Sequence, residues 1–158
     1  LLQLPGKLSF HHGDIRTDQQ LLIKCCAQAD VIYHLAAQVA VTTSVEDPRQ
    51  DFEVNALGTF NVLEAARRSE RDPLLIYAST NKVYGGLEDL EVALNENRYG
   101  LTNAPQGIAE TRPLDFHSPY GCSKGSGEAT PVTASLSWID WGTSPEWSNG
   151  IERTKHDE

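Results

Sequence analysis

The chain has 158 residues, 39% hydrophobic and 22% charged, and its 13 Lys and Arg against 22 Asp and Glu give a formal net charge of −9. That length holds one domain with its own core. No run nears the ~18 apolar residues that cross a bilayer, which excludes a membrane span. The acidic balance excludes broad nucleic-acid binding, which needs clustered cations. A phosphorylated small molecule remains a possible ligand, because backbone N–H groups bind one locally. Three cysteines without a C-x-x-C pair or a signal peptide point to a reduced, cytoplasmic setting. His11, His12, His34, His117 and His156 lack ligand spacing, so no metal is expected.

Leu8 to His12 is a short β-prone stretch leading into Gly13-Asp14-Ile15. Thr17 and Asp18 are N-caps for a helix to about Gln28, with Leu21, Leu22 and Cys25 on one face. Val31 to Leu35 is an apolar run of strand length, read as a buried parallel strand. Asp47-Pro48 starts a helix that runs to about Glu70, with Phe52, Ala56, Phe60, Leu63 and Arg67 at three- and four-residue spacing. Leu57, Val62, Ala65 and Ala66 make it apolar over more than one face, so cover is expected on two sides. Leu74 to Ser79 is the next strand. Gly85 to Ser118 shows no sustained period and reads as a long loop, a class that is usually functional. Ser118-Pro119 opens a final helix carrying Tyr120 and Lys124. This alternation predicts an α/β fold with right-handed crossovers. Thr130-Pro131 should stop that helix. Beyond it Trp138, Trp141 and Trp147 lie among small and polar residues, and no strand or helix is assigned from Ala129 to Glu158.

Tyr120 and Lys124 are four apart and share a helix face. A tyrosine acting as a base must bring its pKa from about 10 to about 7, which takes about 4 kcal/mol. An ammonium about 4 Å away, at an effective dielectric near 20, supplies that much. Taken alone, the pair reads equally as a packed phenol beside a solvated lysine. Thr80 directly follows a strand, where α/β sheets place ligands, or else it closes a strand-end turn. Leu35-Ala36-Ala37 lets a flat ligand approach the backbone, or packs under a helix. Asp14 accepts from an adenine amino group or is an exposed turn residue, and Asn55 is a ligand contact or a buried, satisfied amide.

Five phrases occur in order: His12-Gly13-Asp14-Ile15-Arg16, V-I-Y-H-L-A-A-Q from Val31 to Gln38, Asn55-x-x-Gly58-Thr59, S-T-N-K-V-Y-G from Ser79 to Gly85, and S-P-Y-G-C-S-K from Ser118 to Lys124. Together they resemble the extended short-chain dehydrogenase/reductase family, the NAD-dependent epimerases and dehydratases of nucleotide sugars. Gln38 to Ser44, Ser79 to Gly85 and Leu114 to Tyr120 resemble its CDP-tyvelose (CDP-paratose) 2-epimerase branch. The resemblance implies a Rossmann-like, doubly wound parallel sheet holding NAD. It implies Tyr120 as catalytic phenol, Lys124 as its partner on the nicotinamide ribose, and Thr80 as the third member. Asp14 and Ile15 would sit by the adenine, and Leu35, Ala36, Ala37 and Asn55 would line the cofactor. Gln38 and Asn81 would face a nucleotide sugar, a CDP-sugar by the branch. The implied reaction is epimerisation through a transient 2-keto sugar, with dimers formed through helix 48–70.

The family's G-x-x-G-x-x-G turn and first βαβ unit are absent, Met is absent, and Leu1 opens the chain. The sequence is therefore expected to be a fragment, with residues 1–128 a partial NAD-binding domain and 129–158 a disordered or aberrant tail. It is expected to keep the catalytic residues without binding NAD or CDP-sugar usefully. Two alternatives stand beside the 2-epimerase: a 4-epimerase or 4,6-dehydratase of the same family, and a non-catalytic remnant or dimerisation module. A dehydratase calls for carboxylates directly after Thr80, where Asn81-Lys82 offers none.

Overall fold

Leu75, Ile76 and Tyr77, almost wholly inaccessible, form the middle of a parallel sheet in the computed structural model, which describes residues 6–95, 97–109, 111–129 and 136–139. Helix α1 (Gln19–Cys26) precedes strand β1 (Val31–His34). Three helical pieces follow, α2 (Val41–Glu46), α3 (Pro48–Phe52) and α4 (Gly58–Arg67), with a π-helical turn over Glu53–Leu57 joining α3 to α4. Strand β2 (Leu74–Ala78) leads into a 3-10 turn (Asn81–Tyr84) and a hairpin of β3 (Val92–Asn95) and β4 (Arg98–Leu101). Helix α5 (Pro119–Glu128) and strand β5 (Leu136–Ile139) complete the order. The sheet runs β1-β2-β5, all parallel, with His34 opposite Tyr77 and Ala78 opposite Ile139.

Periodicity explains the core. Val62, Leu63 and Ala66 of α4 meet Leu75 and Tyr77 of β2, and Ile15, Leu22 and Ile32 pack around them. Burying a side chain of this size contributes about 1.5–3 kcal/mol. The Asp47 carboxylate accepts from Gln50 N at 2.9 Å, and Pro48 occupies the first turn, where its missing N–H costs nothing. At α5 the Ser118 hydroxyl accepts from Gly121 N at 3.0 Å in the same way.

Several expectations need correction. Leu8 to His12 forms no strand. Leu8 and Phe10 are 81% and 87% exposed, and without a neighbouring strand their β propensity has nothing to pair with. β1 is present but not buried, since among the described residues it bonds only to β2 and leaves Tyr33 66% exposed. The helix expected from Pro48 to Glu70 is broken in register by the π turn and ends at Arg67. Its outer residues Phe52, Leu57 and Phe60 are exposed rather than covered. Asp18 heads α1, yet its carboxylate accepts from Asp14 N at 2.7 Å instead of capping the helix.

Two elements went unseen in the sequence. The hairpin β3–β4 lies inside the expected loop, its base closed by Thr102 N on Glu91 O at 2.9 Å and Asn103 Nδ2 on Asp89 O at 2.9 Å. Strand β5 lies within the segment left without structure, and pairs with β2. Thr130-Pro131, Trp141 and Trp147 lie outside the described residues; α5 itself ends at Glu128.

Candidate active site

The carboxyl ends of β1 and β2 lie side by side, so the chain leaves the sheet twice at one edge, through Leu35-Ala36-Ala37-Gln38 and through Ser79-Thr80-Asn81. Helix α5 docks onto the second exit. Gly121 makes the approach possible, because a Cβ there would stand 2.6 Å from the Lys82 carbonyl oxygen. Gly85 turns the chain with φ +69°, where a Cβ would meet the Asp115 carbonyl oxygen at 2.7 Å. Asp115 N donates to Val83 O at 2.8 Å and ties the returning chain to the turn.

Tyr120 is buried in the first turn of α5, with its phenol near the Thr80 side chain. The structure thus brings together the two side chains that the sequence reading paired across 40 residues. Burial pushes the phenol's pKa up, the Thr80 side chain pulls it back, and the Asp51 charge adds to the rise. The expected lowering by a neighbouring ammonium is absent. Lys124 instead donates from Nζ to the Ala78 carbonyl at 2.5 Å and lies 4.3 Å above the Tyr77 ring. Only 3% exposed, it is drawn down to about 8 by desolvation, against the pull of Glu128 and Asp51.

A buried polar cluster supports this pair from behind. Asn55 accepts from Gln38 N at 2.9 Å, and its Nδ2 donates to Asp51 and to Ser123 Oγ, each at 3.1 Å. Ser123 Oγ lies 2.5 Å from Asp51 Oδ2 and 3.1 Å from Tyr120 O. A hydroxyl has one proton, and the nearer, charged carboxylate takes it. Ser44 Oγ accepts from Tyr120 N at 3.2 Å and donates to Val41 O at 2.7 Å, so α2 fixes the start of α5. On the far side of Lys124, His34 stacks on Tyr77 and its Nε2 lies 2.9 Å from Thr59 Oγ1. Burial, helped by the Lys124 charge, lowers its pKa to about 4 and keeps the ring neutral.

The other expected site residues have these places. Asn55 is the satisfied amide of the two alternatives, since both ends of its side chain are engaged. The Gln38 amide closes on its own loop, donating to Ala40 O and accepting from Ala40 N, both at 2.8 Å. Asp14 is paired with Arg16 at 2.7 Å, which holds its carboxyl down at about 2. Ile15 packs against the core cluster and against Gly58. Leu35 and Ala36 are exposed, Ala37 is half-buried, and Asn81 is exposed at the head of the 3-10 turn. Asp51, Ser123, Ser44 and Thr59 escaped the sequence reading. Part of that signal was present, as Asp51, Asn55 and Thr59 recur every four residues and so share one helix face.

Parallel strands joined by helical crossovers, with loops gathered at their carboxyl ends, define a partial Rossmann-like fold. Residues 2–134 match the family described as GDP-mannose 4,6 dehydratase, and the chain belongs to that family of extended short-chain dehydrogenases/reductases. It is 48% identical over 126 residues to the CDP-paratose 2-epimerase of Salmonella typhi, covering 78% of this chain and 37% of that one. It is 32% identical over 128 residues to the dTDP-glucose 4,6-dehydratase of Mycolicibacterium smegmatis, 81% of this chain and 34% of the relative. The solved UDP-glucose 4-epimerase of Thermus thermophilus, in complex with NAD, superposes with a TM-score of 0.58 at 31% identity, over 81% of this chain and 38% of that one. The chain therefore spans well under half the length of these relatives.

Proposed function

We propose that this segment carries the proton-transfer part of an NAD-dependent nucleotide-sugar epimerase, acting at C2 of a CDP-linked sugar. The observation that carries the reading is the Thr80 contact with the Tyr120 phenol, beside buried Lys124, where two parallel strands end. The sugar and the carbon are supported by the 48% identity to a CDP-paratose 2-epimerase. Exposed Asn81 and Lys82 after Thr80 offer no carboxylate for the proton steps of a dehydration, which favours epimerisation.

The residues fit a flat dinucleotide. Small Ala36 and Ala37 beyond β1, and Leu35 at 61% exposure, leave the backbone open to a ring system. Leu35, Ala36 and Ala37 would line NAD, Lys124 would meet its ribose, Asp14 and Ile15 would flank the adenine, and Asn55 would act from behind through the Gln38 amide. When bound, oxidised NAD supplies a hydride acceptor and a positive ring charge. Every proton step belongs to this chain. The Tyr120 phenolate takes the proton of the C2 hydroxyl, and Thr80 holds that oxygen beside it. After the flat 2-keto sugar turns over, Tyr120 returns the proton. The hydride leaves and re-enters the same carbon, so no net oxidation remains. Thr80, Gln38 and Asn81 form the sugar-facing wall. Self-association through Phe52, Leu57 and Phe60, exposed along the helix 48–67, belongs to the same reading.

The test material is a protein that carries this segment within the full length of its relatives, because the 158 residues alone are not expected to bind NAD usefully. Calorimetric titration with NAD⁺ comes first, then incubation with CDP-paratose in deuterated water with product analysis by NMR. The expected result is saturable NAD⁺ binding and a C2 epimer without solvent deuterium at C2. An epimer carrying solvent deuterium there, or no epimer at all, sinks the reading.

A further inference from the structure

Asp51 is a buried carboxylate with no salt-bridge partner among the described residues. It is 1% exposed, and no cation stands within 4 Å of it. Burying such a charge costs several kcal/mol, and a well-packed apolar residue in its place is often neutral or stabilising. A group that expensive calls for a job that packing alone does not require. Its two partners indicate the job. Its Oδ1 accepts a hydrogen bond from Asn55 Nδ2, and the Asn55 Oδ1 in turn accepts from the Gln38 backbone N–H. Its Oδ2 accepts from the hydroxyl of Ser123, which sits between Tyr120 and Lys124 on α5.

We propose that Asp51 is a positioning residue of this site, tying the Tyr120–Lys124 helix to the Gln38 loop through Ser123 on one side and Asn55 on the other. The inference rests on the proposed catalytic reading only for the roles of Tyr120 and Lys124. The linkage itself is a property of the chain. One anion joins three segments that are separate in sequence: α3 with the π turn after it, the exit of β1, and the first half of α5. Their relative placement sets the distance of the Gln38 loop from Tyr120 and Lys124. An error of about 1 Å there can cost about 100-fold in rate. The carboxylate also acts at a distance on both reactive groups, since its charge favours the ammonium of Lys124 and opposes the phenolate of Tyr120. The site thereby keeps the phenol protonated until a compensating positive charge arrives. Loss of Asp51 is expected to loosen the loop and lower the phenol's pKa together, a combination that packing alone does not produce.

The test uses the chain without NAD or sugar, so its outcome is independent of the proposed reaction. Asp51→Asn keeps the shape and removes the charge; Ser123→Ala removes one arm and is the milder change if the first fails to fold. Two quantities are read: hydrogen exchange at the Gln38 amide relative to core amides such as Leu63, and the titration of the Tyr120 phenol, identified by difference against Tyr120→Phe. Gln38 exchange is expected to rise about tenfold relative to the core in Asp51→Asn, the loss of one hydrogen bond of about 1.4 kcal/mol. The phenol midpoint is expected to fall in the same variant, and Ser123→Ala is expected to speed Gln38 exchange by a smaller factor. An unchanged phenol midpoint in Asp51→Asn, or acceleration equal at all amides in both variants, overturns the inference. Absence of NAD⁺ binding by a full-length protein that carries this segment would count against the epimerase reading and leave this one standing.

Discussion

His34 shows how one buried side chain sets a pH limit on the whole chain. Its ring is kept neutral with a pKa of about 4, against 6.5 when free. A group whose folded pKa is depressed adds proton uptake to unfolding, so stability is full above pH 6.5 and is lost as pH falls from 6.5 toward 4. The 2.5-unit difference corresponds to about 3 kcal/mol. Thermal unfolding across that range should show the loss, and His34→Gln should flatten the slope; an unchanged slope in the variant contradicts the assignment. At Tyr120, replacement by Phe should lower kcat by about 100-fold or more, as expected when a proton-transfer group is removed. NAD⁺ binding should stay nearly unchanged, and stopped assays with parallel calorimetry separate the two. The nearness of Tyr120, Lys124 and Thr80 was legible because all three sit in short phrases that carry the family resemblance. Asp51 and Ser123 were not, because their bond spans 72 residues and no spacing rule reports it.

At the scale of elements, the helix beginning at Pro48 was legible from its cap and its apolar spacing, and its internal π turn was not. The π turn sits over Asn55, the residue that holds Gln38, and π turns often occur at functional sites. The hairpin escaped because its apolar face, with Leu94 and Tyr99 at 68% and 73% exposure, looks outward, and two four-residue strands give too short an alternation to stand out in the sequence. Helix α5 offers a direct test of close packing. Gly121→Ala improves helix propensity by about 1 kcal/mol. The added methyl, however, meets a backbone oxygen at 2.6 Å, and forced overpacking of this kind costs about 1–3 kcal/mol. The net expectation is a lower melting temperature and a weakened Tyr120–Thr80 contact. A raised melting temperature would show that the helix has room to move.

For the molecule as a whole, the parallel α/β order was readable because apolar runs of strand length alternate with helical spacing. Which strands neighbour which was not readable, because β2 pairs with β1 and with β5 across intervening helices. The core makes its own prediction. Leu63, 1% exposed at the centre of the cluster, should cost about 2–5 kcal/mol when cut to Ala, measured by denaturant unfolding. The outer face of the same helix predicts the opposite behaviour. Phe60→Glu should leave folding intact and shift a self-associated species toward monomer in sedimentation velocity; an unaltered sedimentation coefficient removes Phe60 from any interface. One last consequence follows from the composition of α5, where Gly121, Gly125 and Gly127 each give up helix propensity so that the backbone can press against Lys82, Phe116 and Tyr77. Such a segment has little tendency to form a helix in isolation. It persists only while docked, so melting of this edge and loss of the Tyr120–Lys124 arrangement are one cooperative event, and conditions that fray the edge would silence the proposed chemistry before the core gives way.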